Sequence, residues 1–276
     1  MTRSDKIENI FDDNLAFVES WDFSLANTSE EKRIMAITQV ASICYQSPKA
    51  LGSETLYNRL KAESIGLPSS SFEFVPVLLD RFNTQHLELL EPEFSNVKKF
   101  GEQIDDRYFL SNYRALVYDY EQNPQRYSFD IRTLYNTKDE ASIIQKHFKV
   151  FLYNIDLPTR SQMVRHRISW QELSRRYVSG KRVPFSFYIS KKMQTINSNS
   201  KSTQDIIDLC VVHYLEALEN GVKPQEARRI IPQAAYTQIW GAFMPKQLKN
   251  FFDLRLDSHA QWEIRQVARA MKDLDS

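Results

Sequence analysis

The chain has 276 residues, 42% of them hydrophobic and 26% charged, with 36 Lys+Arg against 35 Asp+Glu. That length suits one large domain or two small ones with a substantial core. The near-zero balance argues against a general nucleic-acid binder, which carries a basic excess. No apolar run of about 18 residues suggests a membrane span, and the start, MTRSDKIENIFDDN, lacks the apolar stretch of a secretory leader. A cytoplasmic protein with no membrane partner is the expectation. Cys44 and Cys210 fit no zinc or CxxC spacing, so neither a metal site nor a disulfide framework is expected. Only six glycines are present, with no GxGxxG or GxxxxGK[ST]. Ligand phosphates would then be held by side chains and helix ends, which makes arginine placement the informative feature.

In chain order, EKRIMAITQVASICY (31–45) has helical spacing, with Ile34, Ile37, Ala41 and Cys44 as its apolar stripe. Ser53 is placed to cap a short helix ending near Gly66. LPSSSFEF reads as a turn followed by a strand. Residues 75–147 contain a helical piece, FLSNYRALVYDY, and the turn QNPQR, but no chemical motif. FKVFLYNID (148–156) reads as a strand with Phe148, Val150, Leu152 and Asn154 on one side. Pro158 suits the first turn of a helix running to about residue 167, on which Gln162 and Arg165 share a face. ISWQELSRRY then reads as a loop, and NSNSKST (197–203) as an exposed loop. Three helices finish the chain. The first is capped by Gly221. The second starts at Pro224 and is stopped or kinked by Pro232. The third carries Phe251, Leu254, Ile264, Val267 and Met271 as core candidates, and Asp257 divides it by capping its second half.

Between Arg160 and Arg182 there are seven Lys/Arg and one acid, Glu172, a net of +6. These cations interleave with Ile168, Trp170, Leu173 and Tyr177, which resist full exposure. Half-buried guanidinium groups need anions, and their forks match carboxylate and phosphate oxygens. Glu172 is either a partner that orients the arginines or an acceptor for a ligand N–H. Taken singly, Arg228 and Arg255 read as stems packed on the core, and His259 as a hydrogen-bonded structural histidine. His166, flanked by two arginines, should be held neutral by like charge. No protein nucleophile with a base is visible, which suggests that a cofactor carries the chemistry.

RHRISWQELSRRY (165–177) resembles the signature RHRxxSxNExSxRY of flavin-dependent thymidylate synthases. GVKPQEARRIIPQAAYTQIWGAF and LKNFFDLRLDSHAQWEI are similar to that family's C-terminal half, and ASICYQS and SSSFEF to its ARVSY and (S/T)PFEH elements. The resemblance covers roughly residues 41–74 and 148–268 and is carried by a long motif rich in rare residues. It implies FAD-dependent methylation of dUMP to dTMP, with 5,10-methylenetetrahydrofolate as carbon donor and NADPH as reductant. It implies an α+β fold of mixed helices around a small antiparallel sheet, in a homotetramer with active sites at subunit interfaces. The chain is then one domain, 1–276, with an insertion at about 75–147.

Carried over by position, Arg165, His166, Arg167 and Ile168 form the flavin-contacting segment, with Ser70, Glu73, Glu172 and Asn250 as further cofactor contacts. Gln162, Arg165, Glu172, Leu173, Ser174, Arg175, Arg176, Arg228 and Arg255 fall on the nucleotide side. By resemblance, Arg255 sits by the uracil ring, favours ionisation at N3 and is the catalytic residue. Ser174 matches a serine once proposed as a nucleophile and is assigned to binding. No metal is implied. The departures lie mainly on the flavin side: the signature is one residue short, and Gln171 stands for its Asn. Pro68 and Phe74 replace histidines, Met244 and Lys246 replace Asn and Arg, and the chain stops soon after 268. Two other readings stay open. One is a divergent or inactive flavin/nucleotide-binding paralogue, and the other is a helical RNA- or DNA-binding protein using the +6 segment.

Overall fold

The computed structural model describes residues 1–12, 15–61, 68–91 and 95–275. The chain opens with strands β1 (Thr2–Glu8) and β2 (Phe17–Asp22), then helices α1 (Glu30–Tyr45) and α2 (Glu54–Lys61). A 3-10 turn, Ser70–Phe74, leads into β3 (Pro76–Asp80), α3 (Thr84–Leu90), α4 (Asn96–Lys99), β4 (Glu102–Gln103) and β5 (Tyr108–Asn112). Helices α5 (Tyr113–Gln122) and α6 (Lys138–His147) precede β6 (Lys149–Asp156), α7 (Leu157–Met163) and β7 (Ser169–Glu172). Next come α8 (Lys191–Gln194), the hairpin β8 (Asn197–Ser198) and β9 (Lys201–Ser202), α9 (Thr203–Glu219) and α10 (Pro224–Ala227). β10 (Tyr236–Phe243), α11 (Pro245–Arg255) and α12 (Trp262–Asp275) complete it.

The organising layer is a five-stranded antiparallel sheet in the order β1-β2-β6-β10-β7. Its two long strands, β6 and β10, pair from Tyr236↔Asp156 to Phe243↔Lys149. Because side chains alternate along a strand, β6 sends Val150 and Leu152 into one core and Phe151, Tyr153 and Ile155 into the other. The expected alternation puts Phe148, Val150 and Leu152 on one side, and the strand is covered on both faces. The first core takes α1, α5 and the small sheet β3-β5-β4, so the described residues of the 75–147 segment pack against the same layer as the N-terminal helix. The second takes α7, α11 and α12; α12 offers Ile264, Val267, Ala268 and Met271, all buried, at helical spacing. This is the α+β arrangement of helices around small antiparallel sheets.

Local chemistry explains the element ends. Ser29 accepts from the Lys32 N–H and starts α1, and Ser53 accepts from the Leu56 N–H at the start of α2; capping of this kind satisfies an orphan donor. Gly221, at φ +82, ends α9. The Val222 N–H then bonds back to the Ala217 carbonyl and Gly221 to Leu218. Gly241 in β10 faces Trp170 of β7, where an added Cβ would lie 2.5 Å from the indole ring. Only glycine lets these strands meet there.

Several expectations are corrected. The helix after Pro158 ends at Met163, and four residues of the predicted loop form edge strand β7 because they can pair with β10. Phe72–Phe74 belong to a 3-10 turn, and the strand starts at Pro76. NSNSKST closes as a tight hairpin on Asn199 and Ser200, both at positive φ. Asp257 accepts from the His259 N–H within a turn, while α12 begins at Trp262, so it does not cap that helix. Leu254 is exposed and joins neither core. Gly66 lies outside the described residues.

Candidate active site

A cleft of about 490 Å³ lies where α7, the end of β7 and the 228–237 segment converge. Glu172, Leu173, Ser174 and Arg175 supply one wall, Arg160 of α7 another, and Arg228, Arg229, Tyr236 and Thr237 the third. Four guanidinium groups thus surround one carboxylate. Glu172 is fully committed: Arg160 donates to its Oε2, with Nε at 2.9 Å, and Thr237 donates its hydroxyl to Oε1 at 3.0 Å. The carboxylate therefore orients Arg160 rather than standing free in the cleft. Arg175 donates to the Val183 carbonyl at 2.5 Å and lies 4.2 Å above the Phe185 ring. Burial pushes its guanidinium down from the ordinary value.

Arg228 and Arg229 differ from these. They sit on the 3-10 turn Arg228–Ile230, held between Pro224 and Pro232, and both are exposed. Among the described residues neither side chain has a hydrogen bond or an ion pair. Two uncommitted forks on the rim of the cleft suit a phosphate dianion.

The other predicted residues form a separate group around His166. This side chain is buried against Phe251, with ring centroids 4.8 Å apart. Arg255 donates from Nε to His166 Nε2 at 2.8 Å and from its terminal nitrogen to the Gln162 carbonyl at 3.0 Å. An Nε2 that accepts carries no proton. Burial, and then the cation of Arg255, hold the His166 pKa down at about 4. The imidazole is neutral, as expected, but the cause is desolvation and Arg255 rather than the flanking Arg165 and Arg167. Burial and the nearby Arg165 also lower the pKa of Arg255.

Arg165 and Arg167 are exposed, as is Asn250 on α11. The Gln247 side chain donates to the Arg167 carbonyl at 3.4 Å, and Asn250 lies one turn further along the same helix. Ile168 packs on the second core. Ser70 donates to Gln171 Oε1 at 2.5 Å, and Glu73 pairs with Arg114 at 2.5 Å. This group offers two exposed guanidiniums, without a side-chain hydrogen bond or ion pair among the described residues, and a carboxamide beside a neutral histidine, a donor set whose chemistry fits a diphosphate-bearing cofactor.

Within one chain the cleft lining and the His166 group have no residue in common. Gln162, Arg165 and Arg255 line no part of the cleft. Arg160, two residues from Gln162 on α7, faces the cleft, and such neighbours point to opposite sides of a helix. Arg176 is exposed outside the cleft, 5.3 Å from the Tyr177 ring. Sequence reasoning missed Arg160, Arg229 and Thr237. Arg160 could have been found from its helical spacing before the strand that carries Glu172, and Arg229 from its adjacency to Arg228; no local signal marks Thr237. A second cavity, of about 460 Å³ between α1 and α2, carries Glu30, Glu31 and Glu54 and does not suit an anion. Among the described residues no cluster of His, Cys, Asp and Glu could hold a metal, and no helix is long and apolar enough to cross a membrane.

The family model for thymidylate synthase complementing protein matches residues 111–274. A flavin-dependent thymidylate synthase of Thermotoga neapolitana is 36% identical over 132 residues, covering 44% of this chain and 59% of its own length. One of Pyrococcus furiosus is 36% identical over 113 residues, covering 40% and 46%. The chain thus spans about half the length of the curated relatives it matches. A solved structure of a UMP/dUMP methylase, PolB from Streptomyces cacaoi, bound with 5-Br UMP, aligns with a TM-score of 0.39 and 23% identity, over 46% of this chain and 68% of that one.

Proposed function

Because the chain belongs to the thymidylate synthase complementing protein family, we propose that it methylates dUMP to dTMP as a flavin-dependent thymidylate synthase. In this reading 5,10-methylenetetrahydrofolate gives the carbon and NADPH the electrons. The observation that carries it is the cleft in which Glu172 fixes Arg160 while Arg228 and Arg229 stay uncommitted. A nucleoside monophosphate needs that combination: cations for its phosphate and a fixed polar wall for its base and sugar. The +6 segment supports it further. Its charges divide between the cleft, the His166 group and internal bonds, so they do not form the single basic face that a nucleic acid would need.

Bound FAD would supply the redox chemistry, and Arg165, Arg167 and Asn250 are the residues of this chain suited to hold it. His166, neutral and buried, fixes the Arg255 guanidinium by accepting its Nε–H. A guanidinium held in that way stabilises negative charge on a pyrimidine ring. Since Arg255 and the cleft lie apart within one chain, the reading requires a second copy to bring its Arg255 to the cleft, in a homotetramer with shared sites.

The test is direct. The purified protein should carry a visible flavin spectrum, or acquire one with FAD, and form dTMP from dUMP, methylenetetrahydrofolate and NADPH. A protein that stays colourless with FAD overturns the proposal. One that binds FAD and dUMP without turnover supports an inactive paralogue instead.

A further inference from the structure

Gln171 occupies a position that the nucleotide cleft and the His166 group leave without a role. It lies on β7 between Trp170, which faces the second core, and Glu172, whose carboxylate faces the cleft. Alternation along the strand turns Gln171 to the opposite side, toward α1 and the 70–74 turn. There its amide is used at both ends. The Ser70 hydroxyl donates to Oε1 at 2.5 Å, and Nε2 donates to Cys44 Sγ at 2.7 Å. Cys44 in turn donates its S–H to the main-chain carbonyl of Glu172 at 3.1 Å.

The donors and acceptors run in one direction: Ser70 to Gln171, Gln171 to Cys44, Cys44 to the backbone of Glu172. This chain crosses three elements, the 70–74 turn, β7 and α1. One end is the turn that also holds Glu73, and the other is the residue that fixes Arg160 in the cleft. Among the described residues β7 is an edge strand that pairs with β10 through four residues, so its position depends on such side-chain ties. Through this chain a shift of the 70–74 turn would reach the main chain of Glu172.

We propose that Gln171 is a positioning residue that couples a flavin held against the 70–74 turn, where Ser70 and Glu73 fall by resemblance on the cofactor side, to occupancy of the nucleotide cleft. The inference rests on the functional reading above and deepens it. The length of the side chain matters. Asn is one methylene shorter, roughly 1.5 Å, and cannot reach both Ser70 and Cys44 at hydrogen-bond distance.

The experiment measures FAD affinity by flavin fluorescence, with and without saturating dUMP, in wild type, Gln171→Asn, Cys44→Ala and the double variant. In wild type, dUMP should tighten FAD binding about fivefold or more, the low end for coupled sites. Gln171→Asn should bring that factor to within about twofold of one, with each ligand alone bound within about threefold of wild type. Cys44→Ala should do the same, and the double variant should lose no more than either single one, because both break one chain. Far-ultraviolet circular dichroism and the melting temperature confirm that the variants fold. Wild-type coupling in Gln171→Asn overturns the inference, and so does a wild type that binds both ligands without coupling. Loss of each ligand singly in Gln171→Asn also overturns it, since that is a scaffold effect. A wild type that binds neither ligand overturns the functional reading and this inference together.

Discussion

Replacing His166 with Gln tests the electrostatics of the second group. His166 is buried and accepts from Arg255 at 2.8 Å, and its pKa falls from the ordinary 6.5 to about 4. A histidine whose folded pKa is depressed contributes stability that is present above the unfolded value and lost as pH falls toward the folded one. At pH 5, ~97% of unfolded chains but only ~10% of folded ones carry the proton, so wild type should lose about 2 kcal/mol between pH 7 and pH 5 through this group. The loss should level off near about 3 kcal/mol below pH 4. The assay is urea denaturation of wild type and His166→Gln at both pH values. His86, also lowered by burial, titrates in both proteins and cancels in the comparison. Wild type should lose about 2 kcal/mol more than the variant. Equal losses in the two proteins would refute the claim that Arg255 and burial keep this imidazole neutral.

Other substitutions probe separate links. Gly241→Ala places a Cβ against Trp170 and should cost about 1–3 kcal/mol of stability, read as a lower melting temperature. Arg33 is 1% exposed, donates to Asn27, Leu134 and Arg132 and lies 4.0 Å over the Tyr113 ring. Arg33→Met should cost about 3 kcal/mol in urea denaturation because it strands those acceptors. Glu172→Gln removes the charged partner of Arg160 and should raise the dUMP Kd about tenfold in calorimetry, with little change in melting temperature. Arg228→Ala should weaken dUMP binding by a similar factor and flatten its salt dependence, since an exposed charge is screened; an unchanged salt dependence would remove Arg228 from the phosphate subsite.

Much of this architecture was legible where the local signal was strong. The α1 stripe, the Gly221 stop and the strand at Lys149–Asp156 follow from periodicity and turn chemistry. What escaped depends on partners distant in sequence. β7 reads as a loop because four residues carry too little pattern; its strand character comes from pairing with Ile239–Ala242. Leu254 reads as core because it is apolar, yet it lies on the exposed face of α11, beside Arg255. Of the residues carried over by resemblance, the motif contributes Glu172, Leu173, Ser174 and Arg175 to the lining of the cleft, and the C-terminal stretch contributes Arg228. The motif could not reveal that Arg160 is the side chain Glu172 holds, nor that Arg255 is bound to His166 on another surface. Those facts arise from the turn of α7 and the end of α11 and are not encoded in spacing within the motif.

The functional account turns on one geometric claim: Arg255 from one copy completes the cleft, carrying Arg228, of another. Mixing two variants, Arg255→Ala and Arg228→Ala, tests it. Assayed at dUMP well below the wild-type Kd, Arg255→Ala alone should be nearly inactive in dTMP formation and Arg228→Ala alone about tenfold less active than wild type. After mixing and exchange of subunits, activity should return to a sizeable fraction of wild type, because some sites then combine an intact Arg255 with an intact Arg228. No recovery under conditions where exchange is demonstrated, with both variants folded and flavin-loaded, would contradict the claim and place the whole site within a single chain.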